Sequence, residues 1–222
     1  MDNKIYIIVG HYGSGKSEFS VNFAKKLNTL NKSVCLADLD IVNPYFRSRE
    51  TRLSLINLGI DVISDTLDSV KGLDMPYISP AIRGQIAYNK KTIILDCGGD
   101  NVGTRVLKQF DDLIKQRDYE MYMIINVYRP ETSTVEQIID MKNKMEAESG
   151  LLITGYINNS NFLRQTTVDD VMNADSLIKE VSKITSVPIV YVSALESILN
   201  KLPNDISGEK FEINLSLRSD WL

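Results

Sequence analysis

The sequence has few of the features that mark secreted or membrane proteins. Only two of its 222 residues are cysteines, Cys35 and Cys97, and both fall in apolar stretches that predict strands, so we expect buried thiols rather than a disulfide. No apolar stretch approaches the roughly 18 to 20 residues that span a bilayer, and the N-terminus lacks the basic, apolar and small-residue sections of a signal peptide. These absences predict a cytoplasmic protein that does not enter a membrane.

An excess of positive charge is also missing. The formal net charge of -4 and the isoelectric point near 5.2 argue against the basic surface that nucleic-acid-binding proteins commonly carry. Hydrophobic residues make up 43% of the chain and charged residues 24%, which are ordinary proportions for a globular protein. A chain of 222 residues is long enough for one substantial α/β core, so we expect a single domain over residues 1–222.

Short, continuous apolar runs recur along the chain and predict strands. Continuous runs are typical of strands that are covered on both faces, as in a parallel sheet with helices on either side. A last stretch alternates apolar and polar residues and predicts a terminal strand. The predicted strands are residues 5–9, 34–37, 92–95, 121–127, 151–157 and 187–192, a weaker one at 60–63, and the terminal strand at 211–217.

Helical patterns separate these runs. The clearest covers residues 16–30, where apolar side chains recur at spacings of three and four and form a core-facing stripe. Further helices are predicted at 135–147 and 167–181, and Ser79-Pro80 resembles an N-cap followed by proline at the first helical position. The alternation predicts a doubly wound, mostly parallel sheet with helices on both faces, and a ligand site at the carboxyl ends of its strands.

The strongest motif is GHYGSGKS at residues 10–17, which matches GxxxxGK[ST] between the first predicted strand and helix. Its glycines allow a sharp turn that points backbone N–H groups at phosphate oxygens, and the helix N-terminus adds partial positive charge. Lys16 is predicted to act on the β- and γ-phosphates, and the Ser17 hydroxyl to bind Mg²⁺. The predicted nucleotide-binding residues of this segment are Gly10, Gly13, Ser14, Gly15, Lys16, Ser17 and Glu18.

Acidic residues follow two further strands where a phosphate-binding site needs them. Asp38 and Asp40 follow the second predicted strand, and Asp96 follows the run at 92–95. Mg²⁺ prefers octahedral oxygen coordination and keeps several waters, so we predict that Asp38 and Asp96 act with Ser17 at the metal. Asp40 is predicted to orient the attacking water, although capping of the next segment is an alternative role for Asp38 and Asp40. Glycines directly after Asp96 would permit a switch that senses the γ-phosphate.

With this loop, LADLD at 36–40 and IILD at 93–96, the chain resembles the MinD/ParA-like branch of the SIMIBI-class P-loop NTPases. The resemblance implies an ATP- and Mg²⁺-dependent switch that acts on a partner protein, often as an ATP-sandwiched homodimer, with Asp40 activating water. Because the branch includes metal-centre maturation ATPases, it also implies metalloenzyme assembly as one role. His11 stands where such proteins commonly carry a second lysine that reaches across the dimer, and we interpret it as a solvated or loop-packing residue.

Three arginines follow the second predicted strand at positions 47, 49 and 52. They suit an arginine finger that stabilises transition-state charge, a site for an anionic partner, or a solvated helix face. The same arginines would hold the substrate if the chain were a small-molecule kinase or ligase. A third alternative is a module that binds nucleotide without turning it over.

The preferred base is encoded weakly. Relatives specific for GTP read guanine with NKxD, whereas this chain has NNSN at 158–161, and an amide is a poorer acceptor for guanine's two donors than a carboxylate. This difference favours ATP, with Asn158 as the predicted base contact and Asn126 and Arg129 as further candidates. The sequence SAL at 193–195 resembles a guanine-side loop, so a GTPase, including a GTPase metallochaperone, stays open.

Overall fold

The computed structural model describes residues 3–30, 32–40, 49–63, 80–88, 90–99 and 101–217, and only the backbone of residues 49, 50, 101 and 102. Within these ranges the chain forms one eight-stranded sheet in which every strand pair is parallel. The strands are Ile5–Val9 (β1), Val34–Leu39 (β2), Asp61–Ile63 (β3), Thr92–Cys97 (β4), Tyr119–Ile125 (β5), Gly155–Asn158 (β6), Ile189–Ala194 (β7) and Glu209–Glu212 (β8).

The order of the strands places the first strand at a reversal of the sheet. The order is β3-β2-β4-β1-β5-β6-β7-β8, so the chain builds outward from β1 in both directions. Ligands of open α/β sheets bind in the crevice beyond such a reversal, at the carboxyl ends of the strands. The glycine-rich loop leaves β1 at this point.

Helices cover both faces of the sheet and confirm the predicted fold class. Ile5, Ile7 and Val9 of β1 belong to a core cluster with α3, α5, α6 and α7, whereas Ile8 belongs to a second cluster with α1 and α2. This alternation follows from the two-residue period of a strand. The helices are Lys16–Thr29 (α1), Arg49–Asn57 (α2), Pro80–Tyr88 (α3), Asn101–Arg105 (α4), Asp111–Lys115 (α5), Val135–Ser149 (α6), Val168–Thr185 (α7) and Glu196–Leu199 (α8).

Local sequence signals explain where the long helices begin. Thr134 and Gln137 form a capping box at the start of α6, and Thr167 and Asp170 form another at α7. The α3 helix begins at Pro80, as the sequence predicts, while Ser79 lies outside the described residues. Within the described part of the chain, no helix combines the length and apolar character needed to cross a bilayer.

Two predicted strands differ from the observed ones by more than two residues at one end. The strand predicted at 151–157 begins only at Gly155, because Leu151 and Ile153 are buried in the core ahead of the ladder. The strand predicted at 211–217 is Glu209–Glu212. Residues 213–217 continue past the end of β8 and run beside α1. The alternating apolar side chains of residues 213–217 therefore pack beside α1 rather than within the sheet.

Candidate nucleotide-binding site

The loop after β1 folds in a way that only glycine allows at two positions. Gly10 has φ +143°, and a Cβ there would lie 2.4 Å from the carbonyl oxygen of Ile124. Gly15 has φ +91°, and a Cβ there would lie 2.3 Å from Nδ2 of Asn159. These left-handed values are strained for any residue with a Cβ. The loop is thus held tightly against the ends of β5 and β6.

The lysine and hydroxyls of this loop are withdrawn from solvent. Lys16 is the first residue of α1, is only 6% exposed, and its Nζ donates to the carbonyl oxygen of His11 at 3.0 Å. Ser17 is also buried. Ser14 Oγ is buried without a hydrogen-bond partner among the described residues. Because buried hydroxyls are normally paired, the orphaned Ser14 oxygen indicates a ligand beside the loop.

Three buried carboxylates stand at the ends of two adjacent strands. Asp38 in β2 and Asp96 in β4 are register partners, and Asp40 follows β2; all three are buried. The Asp38 carboxylate accepts a hydrogen bond from the Asp40 backbone N–H at 2.9 Å. The strand ends thus bring together the acidic residues that the sequence predicts for one site, with Asp38 and Asp96 inside the strands rather than after them.

Asp96 is the most perturbed of the three. Burial raises the pKa of its carboxyl from 3.8 to about 6, and Asp40 adds to this rise, while Lys16 and the hydroxyls of Ser17 and Ser20 oppose it. One oxygen, Oδ1, accepts from Ser20 Oγ at 3.0 Å. The other, Oδ2, is buried with no hydrogen-bond partner in the described part of the chain. An orphaned carboxylate oxygen of this kind is costly unless a cation or a bound water completes it.

These residues fit Mg²⁺ in the presence of phosphate. The described residues contain no group of three or more His, Cys, Asp or Glu side chains that would hold a metal by themselves. Mg²⁺ commonly takes one or two protein groups together with substrate phosphates and waters. Ser17 and the free oxygen of Asp96 supply donors of the required kind, and Asp38 lies on the neighbouring strand.

The loop after β4 packs against the glycine-rich loop without clearance. A Cβ on Gly99 would lie 2.6 Å from Cα of Tyr12 and 2.8 Å from Nζ of Lys16. A Cβ on Gly98 would lie 3.3 Å from Oδ1 of Asp40. The two glycines predicted to form a switch therefore lie directly against Lys16 and Asp40, because no side chain separates the two loops.

Asn158, the predicted base contact, does not reach the cavity beside the loop. Its side chain is fully buried, donates to the Val171 carbonyl oxygen at 3.4 Å and accepts from the Ser160 N–H at 3.1 Å. Asn159 instead meets the glycine-rich loop, because its Nδ2 donates to the Ser14 carbonyl oxygen at 2.7 Å. Asn161 lines the cavity. Alignment of NNSN with NKxD could have predicted these positions, since the last residue of NKxD corresponds to Asn161 and the second to Asn159.

The two weaker candidates, Asn126 and Arg129, have different positions. Asn126 is buried, and its Oδ1 accepts from the Tyr128 N–H at 3.1 Å, so it shapes the loop after β5. Arg129 lines the cavity, and its Nε donates to the Gly13 carbonyl oxygen at 3.0 Å. Arg129 therefore lies at the phosphate-binding loop and supports its backbone through this hydrogen bond.

Glu18 is engaged by a distant part of the chain. Its carboxylate accepts hydrogen bonds from the backbone N–H groups of Ser216 and Leu217. Glu18 still borders the cavity, and no motif predicts that residues 213–217 join it there. The cavity is lined by Tyr12, Gly13, Gly15, Lys16, Ser17, Glu18, Asp40, Arg129, Asn159, Asn161, Leu163, Thr166, Ser193, Ala194, Leu195, Ile213, Leu215 and Leu217.

Other predicted residues are placed as follows. His11 lies with Nε2 3.5 Å from Oε2 of Glu131, a contact that fits a loop-packing residue. Cys35 and Cys97 are buried, unpaired thiols, as predicted, and burial raises the pKa of both. Arg47 lies outside the described residues, the Arg49 side chain is not described, and Arg52 is half-buried on α2. The arginine-finger hypothesis therefore stays a prediction.

Neither the sequence profiles of known families nor the sequences of characterised proteins match this chain. Solved structures do match. The cell division protein FtsY of Thermotoga maritima superposes with a TM-score of 0.58 at 21% identity, over 86% of this chain and 62% of that one. Chloroplast FtsY of Physcomitrella patens gives a TM-score of 0.59 at 13% identity, over 89% and 61%.

A third similar structure is the signal recognition particle 54 kDa protein of Aeropyrum pernix in complex with GDP, with a TM-score of 0.56 at 15% identity, over 86% of this chain and 41% of that one. At these identities the likeness concerns the fold. The chain shares the α/β fold of these three proteins, in agreement with the predicted fold class, and it spans less than two thirds of the length of each of them.

Proposed function

We propose that this protein binds and hydrolyses a nucleoside triphosphate, preferentially ATP, with Mg²⁺, as a switch that acts on a partner protein. The observation that carries the proposal is the buried group around the glycine-rich loop. Lys16 lies beside three buried carboxylates, and Oδ2 of Asp96 is buried with no partner among the described residues. Such a charged, incomplete arrangement is explained by a ligand that supplies both phosphate and a cation.

Each residue of this group has a role in the proposal. Backbone N–H groups of the loop and Lys16 bind the phosphates. Ser17, with Asp38 and Asp96, would hold Mg²⁺, which neutralises charge on the phosphates. Asp40 orients the water that attacks the γ-phosphate. Catalysis by positioning and electrostatic stabilisation suits these residues.

The close contact of Gly99 with Tyr12 and Lys16 supports a switch rather than a passive binding module. A phosphate that draws Lys16 away from the His11 carbonyl oxygen changes the surface against which Gly99 packs. Because the two loops touch without intervening side chains, the loop after β4 must respond to this change. A partner protein that contacts this loop would thereby distinguish the triphosphate from the diphosphate state. We propose assembly of a metalloenzyme as one setting for such a partner.

The base preference rests on Asn161. Asn161 lines the cavity, its Nδ2 donates to the Asn159 carbonyl oxygen at 2.7 Å, and its Oδ1 accepts from the Leu163 N–H at 3.1 Å. The second Nδ2 hydrogen and the second Oδ1 lone pair would then meet the base, where guanine-specific proteins present a carboxylate. An amide suits adenine, whose edge carries one donor and one acceptor. GTP is the second candidate, because Ser193, Ala194 and Leu195 line the same cavity and a structure of similar fold was solved with GDP.

Calorimetry and hydrolysis assays test the proposal together. The protein is titrated with Mg-ATP and Mg-GTP, and phosphate release is then measured for the parent, Asp40→Asn and Lys16→Ala. We expect tighter binding of ATP, retained binding with lost turnover in Asp40→Asn, and weakened binding in Lys16→Ala. Absence of binding of either nucleotide by the folded parent protein contradicts the proposal, and transfer of phosphate to a metabolite identifies a kinase instead. An ATP-sandwiched homodimer is tested by measuring mass in solution with a nonhydrolysable ATP analogue.

A further inference from the structure

Residues 213–217 are fixed to the helix that follows the glycine-rich loop. The Ile213 N–H donates to the Ala194 carbonyl oxygen at 2.9 Å. The Asn22 side chain then pairs with the Asn214 backbone in both directions, each at 3.0 Å, and Glu18 accepts from the backbone of Ser216 and Leu217. Beyond Ile213, backbone N–H and C=O groups of the segment thus find partners in the side chains of α1.

The sequence of α1 provides for this contact. Glu18, Asn22 and Lys25 recur at spacings of four and three, so they lie on one face of the helix. Lys25 donates from Nζ to Ser216 Oγ at 2.9 Å. A polar stripe of this kind in a helix covered by protein needs partners, and the extended segment supplies them. The first residue of the stripe, Glu18, lies in the first turn of α1, directly beside the phosphate-binding residues.

The side chains of the segment face the cavity. Ile213, Leu215 and Leu217 all line it, as the two-residue period of an extended chain requires. They also pack against the core cluster that contains Phe19 and Phe211. The lining of the cavity therefore combines charged and polar side chains, namely those of Lys16, Ser17, Asp40 and Arg129, with these aliphatic ones.

We propose that residues 213–217 form a wall of the nucleoside-binding end of the cavity, with Leu215 and Leu217 in contact with the base or ribose. This inference rests on the proposed function, since it assumes that the phosphates occupy the loop. A nucleobase has apolar faces and a polar edge, so it is matched by aliphatic side chains beside a single amide such as Asn161. Glu18 acts as a positioning residue that fixes this wall to the start of α1.

The test compares nucleotide with a ligand that has no nucleoside. Binding of Mg-ATP, Mg-GTP and magnesium tripolyphosphate is measured by calorimetry for the parent and for a Leu215→Ser, Leu217→Ser double variant. We expect the double variant to bind the preferred nucleotide roughly tenfold more weakly, through loss of apolar contact, and to bind tripolyphosphate as the parent does. Leu152→Ser is the matched control, because Leu152 is 66% exposed, precedes β6 and does not line the cavity.

Hydrogen exchange gives a second readout on the unmodified protein. We expect the amides of Ser216 and Leu217 to gain protection when nucleotide binds and to stay unchanged with tripolyphosphate. Glu18→Ala should increase their exchange without ligand and weaken nucleotide binding severalfold, whereas Glu18→Gln, which keeps an acceptor oxygen, should restore much of both.

The outcomes separate the two proposals. A parent protein that binds neither nucleotide nor tripolyphosphate contradicts the proposed function. If the parent and the double variant bind nucleotide with equal affinity, and nucleotide adds no protection at 213–217, the proposed role of residues 213–217 is contradicted but the proposed function is not. Equal loss of nucleotide and tripolyphosphate binding in the double variant also overturns it, because the effect would then concern the phosphate end.

Discussion

The two ends of the cavity are built in different ways. The phosphate end comes from the loop after β1 and from carboxylates at the ends of β2 and β4, and its Lys16, Asp38, Asp40 and Asp96 are all buried. The end that we assign to the nucleoside comes from the loop after β6, from the end of β7 and from residues 213–217, which the chain supplies from separate stretches of its second half. The charged residues thus stand on short motifs that each follow an apolar run, whereas the proposed nucleoside end depends on segments that only the fold brings together.

The largest expected effect is at the phosphate end. Lys16→Ala removes a buried cation beside the site of the phosphates, and we expect Mg-triphosphate affinity to fall by at least about 100-fold. Calorimetry with tripolyphosphate should show a similar loss, which places the defect at this end. Lys26→Ala is the control on the same helix, because Lys26 pairs with Glu209 at the surface. Equal affinities of Lys16→Ala and the parent for Mg-triphosphate would contradict the assignment of the phosphates to this end of the cavity.

Asp96→Asn, at the phosphate end, should change the free energy of unfolding of the protein by an amount that depends on pH. The folded-state pKa of Asp96, about 6, exceeds its ordinary value of 3.8. The folded state therefore favours the protonated form, and the resulting stabilisation is present below pH 4 and is lost as pH rises through 6. Without Mg²⁺ and nucleotide, we expect Asp96→Asn to be more stable than the parent by about 2 kcal/mol at pH 7, roughly 4–8 °C in Tm.

Thermal melts of both proteins between pH 4 and pH 7 check this expectation. The difference in Tm should be small at pH 4 and grow towards pH 7. A difference that does not vary with pH would show that ionisation of Asp96 is not its cause. Hydrolysis by the variant should be lost, because its amide is a poorer partner for Mg²⁺ and its waters.

Asn161→Asp tests which residue of the proposed nucleoside end determines the base preference. The substitution places a carboxylate in the cavity where the sequence has an amide, and we expect the ratio of GTP to ATP affinity to rise about tenfold. Titration with each nucleotide measures the ratio. Asn158→Asp is the contrasting variant, because Asn158 is buried away from the cavity and its change should lower stability without altering base preference. An unchanged ratio in Asn161→Asp would place base recognition elsewhere.

The smallest expected effect concerns Arg129. Its Nε hydrogen bond to the Gly13 carbonyl oxygen supports the loop from the outside, so Arg129→Ala should weaken triphosphate binding about three- to fivefold. Arg105→Ala serves as the control, since Arg105 pairs with Glu148 at the surface and does not line the cavity. A loss of 100-fold would instead assign Arg129 a direct part in holding the phosphates.

Sequence reasoning reached the phosphate end because its determinants are local. The glycine, lysine and serine spacing fixes a loop whose chemistry is set by adjacent residues, and each predicted acid follows a recognisable apolar run. The fold class followed for the same reason, since the strands are continuous and buried.

The nucleoside end could not be predicted in the same way. Asn158 and Asn161 are both amides near the end of one strand, and only the three-dimensional path decides that the first is buried and the second reaches the cavity. The alternation at 213–217 is the period of any extended chain, so it indicated a strand but not that the chain would leave β8 and lie on α1. Long-range packing determined both outcomes.

The link between Glu18 and Leu217 joins residues 199 positions apart in the chain. During synthesis at about 5–20 residues per second, the ribosome completes the phosphate loop roughly 10–40 s before it delivers the segment that rests on it. Throughout that interval, apolar side chains such as Phe19 lie uncovered on the side where Phe211 and Ile213 will dock. Until residues 211–217 emerge, this side of α1 lacks the apolar cover that it has in the folded protein.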